Sequence, residues 1–252
     1  MSMNPRGSLQ TMRGRIRRRL LVNAVVDPAE AAARLPDGIR PHVTPEGTVV
    51  GCCLLELESV RPAGLPASSG RHLRAAAHRI SVEWDDDRSG STIVGVYVPV
   101  RHTDSRLAVA LGGRWFPGVH KPARIDVAAT DHTVRWRCDP TRERELALRV
   151  AVSIPASSSV AEPRGGVGAT CLAASIGVSS DHRGSLESVC MQAAHRNARE
   201  VHVDELASRF IDGFSSAQIA TSYLVCDADV SWTRPSGSTH GAPSQKVVGC
   251  AR

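Results

Sequence analysis

Gly112-Gly113-Arg114-Trp115-Phe116-Pro117-Gly118-Val119-His120-Lys121-Pro122 holds one of only two lysines in the chain, the other being Lys246, although lysine and arginine together number 31. A chain that uses arginine almost everywhere for solvated positive charge has little surface need of a lysine. Only the amine can lose its proton and attack a carbonyl, since guanidinium stays charged at any working pH. Codon bias towards arginine leaves survivors at random, so the lysine count alone decides nothing and the surroundings have to. Here glycines and prolines let the backbone turn closely, while Trp115, Phe116 and Val119 supply apolar walls. A lysine ordinarily titrates at roughly 10.4, so keeping its amine neutral near pH 7 takes about 4 kcal/mol, which burial and a neighbouring cation can supply. Arg114 and His120 are the cationic neighbours in sequence.

On either side of this segment the chain reads as β structure. Leu20 to Val26, Val49 to Val60, Ile80 to Trp84, Thr92 to Val100, Arg124 to Ala128, Thr133 to Cys138, Leu146 to Ile154, Leu186 to Ala193 and Tyr223 to Val230 are β-prone runs separated by turn residues. The clearest helix is short. Asp27 caps it, Pro28 takes its first position, Glu30 completes a capping box and Pro36-Asp37-Gly38 ends it. A second helix is expected over Val203 to Ile211, closed by Asp212-Gly213. The fold class is therefore mainly β with two or three short helices, a closed or nearly closed antiparallel barrel-like sheet. A parallel α/β fold needs more long helices than these.

Composition narrows the function classes. The chain has 252 residues and 42% hydrophobic content, enough for a packed core, and no apolar run long enough to span a membrane. No signal-peptide pattern is present, so a cytoplasmic protein is expected. The net charge of +6 and the cluster Arg13, Arg15, Arg17, Arg18 and Arg19 invite a nucleic-acid reading, but 4% aromatics leave too few stacking platforms, and nucleic acid is disfavoured as a partner. The seven cysteines, an odd number with no C-x-x-C pair, read as reduced thiols, with Cys52 and Cys53 on opposite faces of one strand. Residues 1–14 are expected to form a flexible basic tail, residues 15–235 one domain, and residues 236–252 a second flexible tail. Whether the chain forms a homo-oligomer is open.

Gly113-Arg114, three residues, then Gly118-Val119-His120-Lys121 resembles the segment of the acetoacetate decarboxylase-like superfamily that carries the Schiff-base lysine. Arg19-Leu-Leu-Val-Asn, Asp27-Pro28, Leu35-Pro36-Asp37-Gly38, Ala77-His78-Arg79-Ile80-Ser81-Val82-Glu83-Trp84 and Gly95-Val-Tyr-Val-Pro agree with it. So do Ser175-Ile-Gly-Val-Ser, Val203-Asp204-Glu205 and Ser231-Trp232, and the whole is most similar to a branch of unknown function. The resemblance implies that fold and a small-molecule activity on a keto acid or aldehyde: decarboxylation, aldol cleavage or dehydration through a lysine Schiff base. It makes Lys121 the Schiff-base lysine, Glu83 the carboxylate facing the site and Arg17 the arginine ahead of the first helix. Arg18 and Arg19 compete with Arg17 for that place. Arg114, His120 and Trp115 are then candidate substrate contacts, and neither a metal nor a dissociable cofactor is required. Two departures stand out. Pro122 replaces the second lysine of the family pattern and His120 its proline, so Arg114, His120 or Arg17 has to supply the missing cation. A non-catalytic ligand-binding protein on the same fold is the alternative.

The remaining polar groups read more simply. Asp85-Asp86-Asp87 has the look of a solvated turn rather than a chelate, and the ten histidines form no zinc pattern. Arg79, Ser81 and Glu83 alternate on one strand face and His78, Ile80 and Val82 on the other; the polar triplet lines a cavity or meets solvent.

Overall fold

The computed structural model describes residues 11–86, 90–113, 117–142, 146–156, 158, 172, 175–193 and 198–234. Strand dominates. β1 (Thr11–Val26), β2 (Arg40–Pro41), β3 (Val43–Thr44), β4 (Gly47–Pro62), β5 (Arg71–Asp85) and β6 (Thr92–Thr103) build the first half. β7 (Lys121–Ala129), β8 (Thr133–Pro140), β9 (Leu148–Ser153), β10 (Ile176–Ser180), β11 (Leu186–Ala193), β12 (Ala198–Ser208) and β13 (Gln218–Thr233) follow. Three short α-helices, α1 (Pro28–Ala32), α2 (Arg106–Leu111) and α3 (Arg209–Asp212), complete the described residues.

The strands close into two hydrogen-bonded rings that share a wall. In the smaller ring seven strands follow one another as β13, β1, β4, β5, β6, β10 and β11, and β11 returns to β13. In the larger ring β6 continues through β7, β8, β9 and β12 to β13. The shared wall is β13-β1-β4-β5-β6. Most pairings are antiparallel as expected, but β6 pairs in parallel with β10 at Val96 and Tyr97 and with β7 at His102 and Thr103, and these two separate stretches let one strand belong to both rings.

Alternation gives each face of the wall its own core. Leu20, Val22, Cys52, Leu54 and Ala76 point towards β7–β9 and pack against Ile125, Trp136 and Val150 inside the larger ring. Their neighbours Leu21, Cys53, Leu55 and Leu73 point the other way, and pack with Val225, Val230 and Met191 in the smaller ring. Burying each large apolar side chain contributes about 1.5–3 kcal/mol, which fixes the register, because a one-residue slip would exchange the two faces. Cys52 and Cys53 thus lie on opposite faces, as the alternation predicts. A third cluster, Ile80, Val82, Trp84 and Tyr97 with Ala31, Ile211 and Phe214, seats α1 and α3 on the sheet.

Four sequence expectations are corrected. The helix expected over Val203 to Ile211 is strand β12 up to Ser208, and only Arg209–Asp212 is helical. A bulge between Val203 and Glu205 takes up one residue, so Val203 opposite Val152 and Leu206 opposite Val150 mimic the three-residue spacing of a helix. Asp27 does cap α1, its Oδ1 accepting from Ala29 N at 2.7 Å. Glu30, however, leaves the capping box and instead accepts hydrogen bonds from Ser215 and Ser216. Residues 11–14 belong to β1 rather than to a tail, while the rest of both expected tails lies outside the described residues. Cys190 is disulfide-bonded, with its partner outside those residues, whereas Cys52, Cys53, Cys138 and Cys226 are not in disulfides. No described helix is long and apolar enough to cross a membrane.

Candidate functional site

The inner face of the smaller ring carries an unusual number of buried polar groups. Arg19, Asn23, Arg79, Ser81, Thr103 and Ser179 are each at most 5% exposed. Register sets their positions. One row runs Leu21, Cys53, Ala77, Arg101 across β1, β4, β5 and β6. The row on one side is Arg19, Leu55, Ala75, Thr103, and on the other Asn23, Gly51, Arg79. Strands lie about 4.8 Å apart, so Cys53 and Arg101 stand about 10 Å apart at the backbone with only Ala77 between them. Arg19 is the diagonal neighbour of Cys53, about 7–8 Å away. The small residues Cys53 and Ala77 stand between the long guanidinium side chains in the register.

Each arginine is held differently. The Arg79 guanidinium crosses Gly51 to donate to Asn23 Oδ1, and Asn23 is fixed in turn by donating its Nδ2 to Thr221 O at 2.6 Å. Arg101 lies against Gly118, whose φ of +91° suits glycine, and a Cβ there would overlap the Arg101 Nη1. Burial pulls Arg101 down to about 10, opposed by the nearby Cys53 and Glu187, so it remains a cation at neutral pH. Arg19 Nε and Nη1 are buried without a hydrogen-bond partner among the described residues. Glu187, the carboxylate nearest Arg101, is already shared, with Oε1 3.3 Å from Arg234 Nη2 and Oε2 accepting from Gly118 N at 3.5 Å. Among the described residues, Arg19 and Arg79 are buried and Arg101 half-buried, Glu187 is a carboxylate already engaged, and burying the Arg19 charge without a partner is costly.

The sequence-predicted residues fall in several places. Lys121 opens β7, half-buried, and pairs with His102. That pairing puts it on the opposite face of the wall, with Ala76, Ala123 and Ile125 of the larger core. His102 is buried there beside His78, whose ring stacks on Phe210 with centroids 4.7 Å apart. His120, the residue before Lys121, belongs instead with Arg101: its Nδ1 is 3.0 Å from Gly118 O, and burial together with Arg101 pushes it down to about 4. It is neutral at pH 7 and cannot replace the missing cation; Arg101 is the cation beside it. Glu83 is not brought to Lys121. It lies seven residues along β5 from Ala76, roughly 23 Å, bonded to Arg40 and His42 at 2.9 Å each. Arg17 is half-exposed, with Nη1 3.6 Å from Glu58, and Arg18 pairs with Glu56 at 2.6 Å, so Arg19 is the inward member of the run. Arg114 and Trp115 lie outside the described residues. Of the polar triplet on β5, Arg79 and Ser81 line the ring and Glu83 sits at its rim. No group of three metal-binding side chains occurs among the described residues.

Solved structures share this architecture along most of their length. Acetoacetate decarboxylase from Legionella pneumophila superposes with a TM-score of 0.60 at 13% identity, covering 88% of this chain and 85% of that one. The chain has the acetoacetate decarboxylase fold. An acetoacetate decarboxylase-like enzyme from Sphingomonas wittichii RW1 gives a TM-score of 0.58 at 14% identity, covering 89% and 92%. The enduracididine biosynthesis enzyme MppR, complexed with the condensation product of pyruvate and imidazole 4-carboxaldehyde, also gives 0.58, at 10% identity, covering 88% and 86%. No protein-family model matches the sequence, and none of the curated proteins does.

Proposed function

We propose that this chain binds a small carboxylate inside the smaller ring, with Arg101, Arg19 and Arg79 as its cationic contacts. The observation that carries this reading is the buried guanidinium of Arg19, whose Nε and Nη1 have no hydrogen-bond partner among the described residues, on the face that also holds Arg101, whose neighbouring carboxylate Glu187 is already engaged by Arg234 and Gly118. A carboxylate is the planar bidentate acceptor that a guanidinium fork matches. Neutral His120 adds a hydrogen-bonding ring without adding charge. MppR, which has the same fold, is known with pyruvate bound, which makes a 2-oxo acid the first ligand to try.

Calorimetric titration with pyruvate, acetoacetate and other small carboxylates tests the reading. Binding is expected, and Arg101→Met should weaken it by about 10- to 100-fold, the value of a hydrogen bond to a charged group. Affinity unchanged in that variant, or no binding of any small carboxylate, refutes it.

A second reading adds chemistry at Lys121. It is favoured by the position of Lys121, half-buried at the start of β7 and in register with buried His102. In this reading the amine nitrogen bonds to the carbonyl carbon, the oxygen leaves as water, and the iminium accepts the electron pair released by decarboxylation, aldol cleavage or dehydration. Borohydride added with pyruvate or acetoacetate should then label Lys121 and not Lys246, and Lys121→Arg should abolish the label. Equal labelling of both lysines, or none, removes the imine and leaves carboxylate binding standing.

A further inference from the structure

Lys121 and the arginines occupy opposite faces of the wall, and the nucleophile that shares the arginine face is Cys53. We propose that the Cys53 thiol is a nucleophilic centre of the arginine-lined ring, adding to the keto carbon of a 2-oxo acid whose carboxylate is held by Arg101 and Arg19. The Sγ–C bond forms as the carbonyl π bond breaks, and the oxygen takes up the thiol proton, giving a hemithioketal with no other reactant. The inference rests on the carboxylate-binding reading.

Three observations converge on Cys53. Its row places it opposite Ala77, with Arg101 next beyond, so one small residue separates the backbone positions of thiol and guanidinium. The two are close enough to interact electrostatically. Arg19 flanks Cys53 diagonally, buried and with Nε and Nη1 lacking a hydrogen-bond partner among the described residues. Cys53 is also accessible where its neighbours are not. Cys52 and Cys138 are fully buried, and burial pushes both thiols up to about 12. Cys226, half-buried on a different strand and not in a disulfide, has its thiol pushed up by burial with Arg18 and Arg199 opposing, and serves as the reference for a thiol beside arginines outside the proposed site.

The test uses the whole protein with iodoacetate and iodoacetamide, which differ chiefly in charge, and reads the label on each cysteine by peptide mass spectrometry. The iodoacetate-to-iodoacetamide rate ratio at Cys53 should exceed that at Cys226 by about tenfold or more, because the guanidinium field concentrates anions. Arg101→Met should abolish this preference, and pyruvate should protect Cys53. With [2-13C]pyruvate, a tetrahedral carbon resonance distinct from the hydrate should appear, persist in Lys121→Arg and vanish in Cys53→Ser. Pyruvate that binds by calorimetry while Cys53 shows the ratio of Cys226 and no Cys53-dependent resonance overturns the nucleophile and spares the binding site. Absence of pyruvate binding, protection and anion preference together overturns both.

Discussion

Acidification should destabilise this protein well before its carboxylates titrate, because His78, buried, and His120, half-buried beside Arg101, are held neutral. Each is pushed from 6.5 to about 4, mainly by burial, with His102 adding to the effect on His78 and Arg101 to that on His120. Between those values the unfolded chain binds a proton at each site that the folded chain refuses. Stability is therefore intact above the unfolded value and is lost as pH falls through the window from 6.5 to about 4. At pH 4.5 each imidazole costs roughly 2.5 kcal/mol, about 5 kcal/mol together, a large part of the net stability of a domain. The four carboxylates Glu30, Glu83, Asp85 and Asp204 are held below their ordinary range by Ser215, His42, Arg40 and His202 respectively, so their losses begin lower still. Urea unfolding at pH 7 and pH 4.5 gives the difference directly, and His120→Gln should reduce it by roughly 2.5 kcal/mol whatever the variant's stability at pH 7. A wild-type loss below about 1 kcal/mol, or the same loss in His120→Gln, would refute the buried-neutral assignment.

Other substitutions probe single contacts. Gly118→Ala should displace the Arg101 guanidinium and strain a backbone at φ +91°, lowering stability by about 1–3 kcal/mol in a urea melt and weakening pyruvate binding in calorimetry. Asp27→Ala removes the cap of α1 and should cost about 1 kcal/mol in the same melt, with ligand affinity unaltered. Glu83→Gln should likewise leave pyruvate affinity within error, since its carboxylate is bonded to Arg40 and His42 at the rim; a loss of tenfold or more would return Glu83 to the site.

How far the sequence discloses this fold depends on what each strand faces. β11 is legible at both ends, Leu186 and Ala193, because turn residues bracket an apolar run. β1 and β6 are legible only in part. Their polar portions, Arg17 to Arg19 in the first and Arg101-His102-Thr103 in the second, read as the end of a strand, yet both continue. Apolar alternation identifies a strand that packs on a core and misses one whose inward residues line a polar interior. The same property hid Arg101, which fails a hydrophobic pattern for the reason that makes it a functional candidate, whereas Arg19 was legible as an alternative to Arg17 and Cys53 as part of an apolar strand. Arg79 was legible as part of a polar face, and register alone could tell cavity from solvent. The bulge in β12 shows the converse, an apolar spacing of three produced by a strand.

The pair His120-Lys121 shows why a motif cannot settle which residue enters the site. Neighbouring residues at the head of a strand look to opposite sides, so a displacement of one position exchanges inward for outward. Against a family segment with two adjacent lysines, alignment by letter assigns Lys121 to the chemistry, whereas the structure puts His120 with Arg101 and Gly118, and pairs Lys121 with His102 across the wall. If reactivity followed the letter, a lysine label would carry the activity; if it followed the face, the thiol on the arginine side would. Borohydride trapping at Lys121 and carboxymethylation at Cys53 report on the two faces separately. A ligand that protects Cys53 while leaving Lys121 unlabelled would mean that the fold kept its carboxylate site and moved its nucleophile from one strand to another.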